Sequence, residues 1–169
     1  TTIATHLARA LQLDGKDVLL VDSDPQGSAR DWAAVREHNP LTVVGIDRPT
    51  IDRDLKAIGR KDFVVIDGAP QAADLAVSAI KAASFILIPV QPSPLDGWAS
   101  AEMLALLNEA RIYRPGLAAR FLLNRCGART VIARMTAETL ADQDPPLLTT
   151  TIGQRVAFAE AAQTGRLVC

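Results

Sequence analysis

Apolar residues in this chain recur in short unbroken runs separated by amphipathic stretches, and that rhythm predicts its elements. Val18-Leu19-Leu20-Val21, Phe63-Val64-Val65-Ile66 and Phe85-Ile86-Leu87-Ile88 are continuous apolar runs, as expected of strands buried on both faces of a parallel sheet. Residues 1–12 instead place Ile3, Leu7, Ala10 and Leu11 at helical spacing, and Asp14-Gly15 closes that helix. A second helix is predicted over residues 28–36, with Ser28 as its N-cap and Asn39-Pro40 beyond its end. Residues 42–46 are short and β-branched, a strand nearer the sheet's edge. Helices follow over 51–58, 72–83, 96–111, 130–142 and 154–163, with strands over 121–124 and 147–152 and a stiff proline-rich crossing loop over 89–94. Alternation at these lengths means βαβ units, right-handed crossovers and a mostly parallel sheet covered on both faces. The expectation is a single three-layer α/β/α domain over residues 1–169, with no linker, repeat or low-complexity tract to divide it.

Two of these strands run into acidic turns. Val18-Leu19-Leu20-Val21 ends in Asp22-Ser23-Asp24-Pro25-Gln26-Gly27, and Phe63-Val64-Val65-Ile66 ends in Asp67-Gly68-Ala69-Pro70. Both carboxylate groups therefore fall at the carboxyl ends of strands, where open α/β sheets bind ligands. A lone Asp-x-Asp-Pro reads most simply as a turn whose Asp side chains cap their own backbone. Two acidic strand ends, with a helix opening on Thr1-Thr2, fit a magnesium–nucleotide site better: a hydroxyl on the metal, carboxylates around its water shell and backbone amides on the phosphates.

Composition narrows the class without naming a partner. At 49% hydrophobic and 22% charged the chain is globular, and a formal net charge of -1 argues against coating nucleic acid by bulk charge. Cys126 and Cys169 show neither metal-ligand spacing nor a disulfide-rich pattern, which makes a reducing cytoplasm the default. No apolar run approaches the ~20 residues of a membrane span.

Thr1-Thr2 with its amphipathic helix, Val-Asp-Ser-Asp-Pro-Gln-Gly, Val-Ile-Asp-Gly-Ala-Pro, Ile-Pro-Val-Gln-Pro-Ser-Pro-Leu-Asp and Leu-Leu-Asn-Arg together resemble the ParA-type partition ATPases. These are deviant Walker A P-loop proteins of the ParA/MinD superfamily, and the nearest likeness is to the small plasmid ParF-like group. The resemblance implies ATP and Mg²⁺ as cofactors. It also implies an ATP-dependent homodimer that binds DNA without sequence preference, and a centromere-binding adaptor protein that stimulates hydrolysis in a nucleoid-associated, cytoplasmic setting. Position by position, Thr1 would ligate Mg²⁺ and Thr2 would lie close to the α-phosphate. Asp22 would sit near the metal's shell, and Asp24 would begin the switch that positions the attacking water. Asp67 matches the Walker B carboxylate, with residues 68–70 as a second switch, while Asn124 would read the adenine edge and Arg125 flank the base.

Only the final Thr-Thr of the family's Lys-Gly-Gly-x-Gly-Lys-Thr-Thr loop matches, at Thr1 and Thr2. The reading is therefore a fragment trimmed at both ends, lacking the first, central strand and most of the P-loop, with an unpaired strand edge in its place. Such a fragment is expected to show no appreciable ATPase activity, because the lysines and glycine-rich backbone that neutralise and cradle phosphates are missing. A turnover assay on residues 1–169 alone tests this, and family-level hydrolysis would overturn it.

Other conspicuous residues have plainer readings. Trp32 and Trp98 read as packing against the sheet, His6 as a bystander and Cys126 as an ordinary semi-buried thiol. Arg129, Arg134, Arg155 and Arg166 fit solvated helix faces, with a DNA-facing surface as the sharper alternative. The runner-up function is another branch of the superfamily, a membrane-site positioning ATPase or an iron–sulfur carrier. Cys126 and Cys169 do not look like a paired cluster site.

Overall fold

The computed structural model describes residues 1–68, 73–127 and 130–168, with the backbone path alone for residues 94–100. Helices and strands alternate throughout: α1 (Thr2–Leu13), β1 (Val18–Asp22), α2 (Ser28–Ala34), β2 (Thr42–Gly45), α3 (Ile51–Ile58), β3 (Phe63–Asp67), α4 (Ala73–Ala82), β4 (Phe85–Val90), α5 (Pro94–Tyr113), β5 (Ala118–Cys126), α6 (Val131–Ala141), β6 (Leu147–Gly153) and α7 (Val156–Gln163). The architecture is three-layer α/β/α with parallel sheets. The chain forms two compact units, Thr1–Ala82 with Val156–Cys169, and Ala83–Arg155.

In the first unit β1 is central, in the order β2-β1-β3. Its side chains alternate between two cores, as a strand buried on both faces must. Val18 and Leu20 pack with Ala8 of α1 and with Ala29 and Trp32 of α2. Leu19 and Val21 pack on the other side with Ile46, Ile51 of α3 and Ala79 and Ala82 of α4. All five residues of β1 are buried. Trp32 has the packing role expected of it, 8% exposed in that core, and its Nε1 donates to the Arg166 carbonyl oxygen at 3.2 Å.

The second unit has the order β4-β5-β6. The expected proline-rich crossing loop is shorter than its composition suggests, because Pro89 and Val90 continue β4 and Pro94 already opens α5. Both placements suit proline. β4 is an end strand, where a missing N–H costs no ladder bond, and the first turn of a helix leaves its N–H groups unpaired anyway. β5 is also longer than expected, beginning at Ala118 and continuing through Asn124 and Arg125 to Cys126. Its pairing with β6 shifts register between Leu123 and Cys126, and Arg125 takes a left-handed φ of 52° there. Asn124 and Arg125 thus lie in a bulge inside the strand instead of in a turn after it.

Among the described residues the strands form two ladders of three instead of one continuous sheet, with β2 as the expected edge strand. Among the described residues β3 pairs with β1 and β4 with β5, and neither has a neighbour on its other edge. Apolar side chains lie exposed on both strands: Phe63 at 44%, Val64 at 39% and Phe85 at 49%.

Leu20 is fully buried at the centre of β1 and touches residues from two helices. Leu20→Ala is expected to destabilise the chain by about 2–5 kcal/mol, the usual cost of a core leucine truncation, read as a lower urea midpoint with unchanged slope.

Candidate functional site

The parallel register puts the two acidic strand ends side by side, since Asp22 is the partner of Asp67 on β3 and of Gly45 on β2. Paired residues in a parallel ladder share a face. Counting back by two from Asp22 gives Leu20 and Val18, so Asp22, Asp67 and Gly45 form one tier on the face covered by α1 and α2.

Within that tier the two carboxylates differ sharply. Asp22 is 0% exposed and its oxygens are taken up by the backbone. Oδ1 accepts the Asp24 N–H at 3.1 Å, and Oδ2 accepts the N–H groups of Ala29 at 3.0 Å and Arg30 at 2.9 Å. Ala29 and Arg30 lie in the first turn of α2, so Asp22 caps that helix from a neighbouring strand, and its charge is favourable against the positive end of the helix. This corrects the expected cap. Ser28 is the first helical residue, the N-cap position belongs to Gly27 at a φ of 71°, and no side chain next to the helix performs the capping.

Asp67 has the opposite character. It is 7% exposed, its Oδ1 lies 3.0 Å from the Thr1 nitrogen, and its Oδ2 is buried with no hydrogen-bond partner among the described residues. A buried carboxylate oxygen without a partner is costly, and a bound cation is one way to satisfy it. Its backbone is held firmly, because the Asp67 carbonyl oxygen accepts both the Ser23 N–H at 3.0 Å and the Ser23 hydroxyl at 2.7 Å. Ser23, fully buried, is therefore the clasp between the two strand ends, and sequence reading passes over it as a spacer between two aspartates.

Asp24 begins a tight turn in which the Gly27 N–H donates to its carbonyl oxygen at 2.9 Å and the Gln26 N–H to its Oδ1 at 2.9 Å. The simple turn role of Asp24 is thus present. Its side chain is only partly buried, unlike that of Asp22. Thr1 and Thr2 are exposed at the start of α1, where the Thr5 hydroxyl donates to the Thr2 carbonyl oxygen at 3.0 Å.

The structure therefore brings Thr1, Asp22, Asp24 and Asp67 together at the ends of β1 and β3. Asn124, half-buried, and Arg125, exposed, belong to the second unit, at the bulge of β5. Residues 69 and 70 of the expected second switch lie outside the described residues, as do Arg129 and Cys169 and the Trp98 side chain. His6 proves less of a bystander than expected. Its Nδ1 donates to the Thr2 carbonyl oxygen at 2.7 Å, its Nε2 accepts the Val168 N–H at 3.0 Å, and its ring meets Phe158 edge-on at 5.1 Å. Burial pushes the Cys126 thiol up, which suits the reading of an unreactive thiol.

The decisive comparison is with known families: the profile of the CobQ/CobB/MinD/ParA nucleotide binding domain matches residues 1–168. This chain belongs to that family. It is 35% identical to maintenance of carboxysome distribution protein A of Halothiobacillus neapolitanus, over 98% of this chain and 78% of that protein. It is also 29% identical to the chromosome-partitioning ATPase Soj of Thermus thermophilus, over 99% of this chain and 81% of that one. Among solved structures, cobyrinic acid a,c-diamide synthase from Mycobacterium smegmatis, with bound ADP and magnesium, has the same fold. Its TM-score is 0.71 at 21% identity, covering 95% of this chain and 85% of that one.

Removing the Asp22 carboxylate leaves the first turn of α2 and the Asp24 N–H without their acceptor. Asp22→Ala is expected to lose about 3–5 kcal/mol of stability, comparable to breaking a buried charge pair, measured by chemical denaturation. An unchanged denaturation midpoint would remove the capping role.

Proposed function

We propose that this chain is the nucleotide switch of an ATP-hydrolysing positioning protein, with Mg²⁺–ATP held at the ends of β1 and β3. The observation that carries the reading is the buried, unpartnered Oδ2 of Asp67 beside Thr1 at the start of a helix. That donor set suits magnesium, a hard cation that takes oxygen ligands and keeps several waters. Thr1 and Asp67 would hold the metal, with Thr2 and the amides opening α1 toward the phosphates. Asp22 stands behind that shell and fixes the turn, and Asp24 orients the attacking water. Asn124 and Arg125 are the adenine-side candidates. When bound, the metal supplies charge neutralisation of the phosphates. The match of the family profile to residues 1–168 supports treating the chain as one nucleotide-binding domain.

In this reading ATP favours a homodimer that binds DNA non-specifically, an adaptor protein stimulates hydrolysis, and hydrolysis releases the switch loops. The setting is cytoplasmic and nucleoid-associated. The chromosome-partitioning relative favours DNA as cargo, with a centromere-binding adaptor. A second reading keeps the same cycle and changes the cargo to a protein body, favoured by the 35% identity to a carboxysome distribution protein. No helix among the described residues is long and apolar enough to cross a membrane.

The test compares Asp24→Ala with Asp67→Ala in the full-length gene product. Asp24→Ala is expected to keep ATP binding and ATP-dependent dimerisation while turnover falls about 100-fold, the scale of a lost water-orienting group. Asp67→Ala is expected to weaken Mg–nucleotide binding as well. Equilibrium ATP binding, sizing with ATP, and turnover with DNA and adaptor present separate the two. Parent-like turnover by Asp24→Ala would leave Asp24 as a turn residue only.

A further inference from the structure

Arg30 is an unusual residue for its place. It lies in the first turn of α2, where the helix end is positive and a cation is disfavoured. Its guanidinium folds back over the strand ends and meets three oxygens from three segments. Nη2 donates to the Asp24 carbonyl oxygen at 3.2 Å, Nη1 lies 3.4 Å from Asp47 Oδ2 beyond β2, and Nε lies 3.6 Å from Asp22 Oδ2. Nε is itself buried without a hydrogen bond, so this arm of the fork is held by charge and packing.

The bed for this side chain is Gly45. A Cβ there would come within 2.7 Å of Arg30 Cδ and 2.8 Å of Nη1, so any larger residue forces the guanidinium to shift from this seat. Gly27, the other glycine under it, would crowd Nη2 at 3.2 Å. Gly45 occupies the same tier as Asp22 and Asp67, and its missing side chain leaves room for Arg30 beside the acidic pair.

We propose that Arg30, seated on Gly45, is a positioning residue that pins the Asp24–Gly27 turn to the end of β2 and so sets where the Asp24 carboxylate is presented. It acts through the Asp24 carbonyl and takes no part in nucleotide contact. This proposal rests on the function proposed above only for its catalytic consequence. A planar fork bonding to separate acceptors is needed, so lysine, a single point charge, does not substitute.

The test uses the full-length gene product with Arg30→Ala, Arg30→Lys and Gly45→Ala. Two readouts are taken: hydrogen exchange of the Asp24, Gln26 and Gly27 amides, and ATP affinity alongside turnover. Arg30→Ala and Gly45→Ala are expected to speed exchange in the turn about tenfold or more, with the centre of β1 still protected. Turnover is expected to fall roughly 100-fold, as for a catalytic group misplaced by about 1 Å, at nearly parental ATP affinity. Arg30→Lys is expected to resemble Arg30→Ala. Unchanged exchange in both, full recovery by lysine, or parallel loss of affinity and turnover would each overturn the proposal. Should Arg30→Ala fail to fold, Gly45→Ala, which displaces the guanidinium without removing it, decides the question. A parent protein without ATPase activity would sink the functional reading alone, because the exchange comparison still decides whether Arg30 pins the turn.

Discussion

The buried carboxylate of Asp22 is the interaction on which this arrangement depends. An isolated charge at 0% exposure is strongly unfavourable, and the chain offsets it with three backbone N–H groups and the nearby Arg30 guanidinium. Each donor comes from the segment directly after β1, so satisfying one charge fixes the path of everything from Ser23 to Arg30. The chain leaves the strand, turns at Asp24 through the left-handed Gly27, and enters α2 with its first turn aimed back at the sheet. Trp32 then falls into the core under α1 as a consequence of that entry angle.

The same tier shows why two aspartates in equivalent positions do different chemistry. Asp22 faces a helix start and is saturated. Asp67 faces the start of α1 and keeps one oxygen without a partner. The first contributes rigidity and the second leaves a carboxylate oxygen uncommitted among the described residues. Ser23 joins them through the Asp67 carbonyl oxygen, which ties the end of β3 to the capped end of β1.

Much of this is legible in the sequence. Continuous apolar runs reveal strands because burial on both faces leaves no polar position, and the acids after Val21 and Ile66 mark the ends because a charge cannot continue such a run. Asp22, Asp24 and Asp67 could be named on those grounds, and Thr1 from the helix that opens on Thr1-Thr2 together with the family resemblance. Register is what the sequence does not display. That Asp22 and not Ser28 caps α2 depends on the helix start being aimed back at the end of β1. That Gly45 houses Arg30 depends on a pairing between β1 and β2. A cation in the first turn of a helix was the available signal for Arg30, since the helix end disfavours positive charge there and nearby carboxylates offset it. The bulge at Asn124 and Arg125 is hidden for the same reason, because it arises from mismatched pairing with β6.

Rigidity and freedom are thereby divided within a few residues. Asp22 cannot swing without exposing three N–H donors, so it cannot be the element that moves when a ligand arrives or leaves. Asp24 can, because its side chain holds only the local Gln26 N–H, and its backbone is restrained from outside through Arg30. The turn is tied to Asp22 at both ends, through the Asp24 N–H and through the N–H groups of Ala29 and Arg30, and the Arg30 side chain adds an ion contact to Asp47 from outside. The Asp47 carboxylate at that contact is 50% exposed, so water competes for it directly. The weakest link in the chain of contacts from Asp22 to Asp47 is therefore the outermost one.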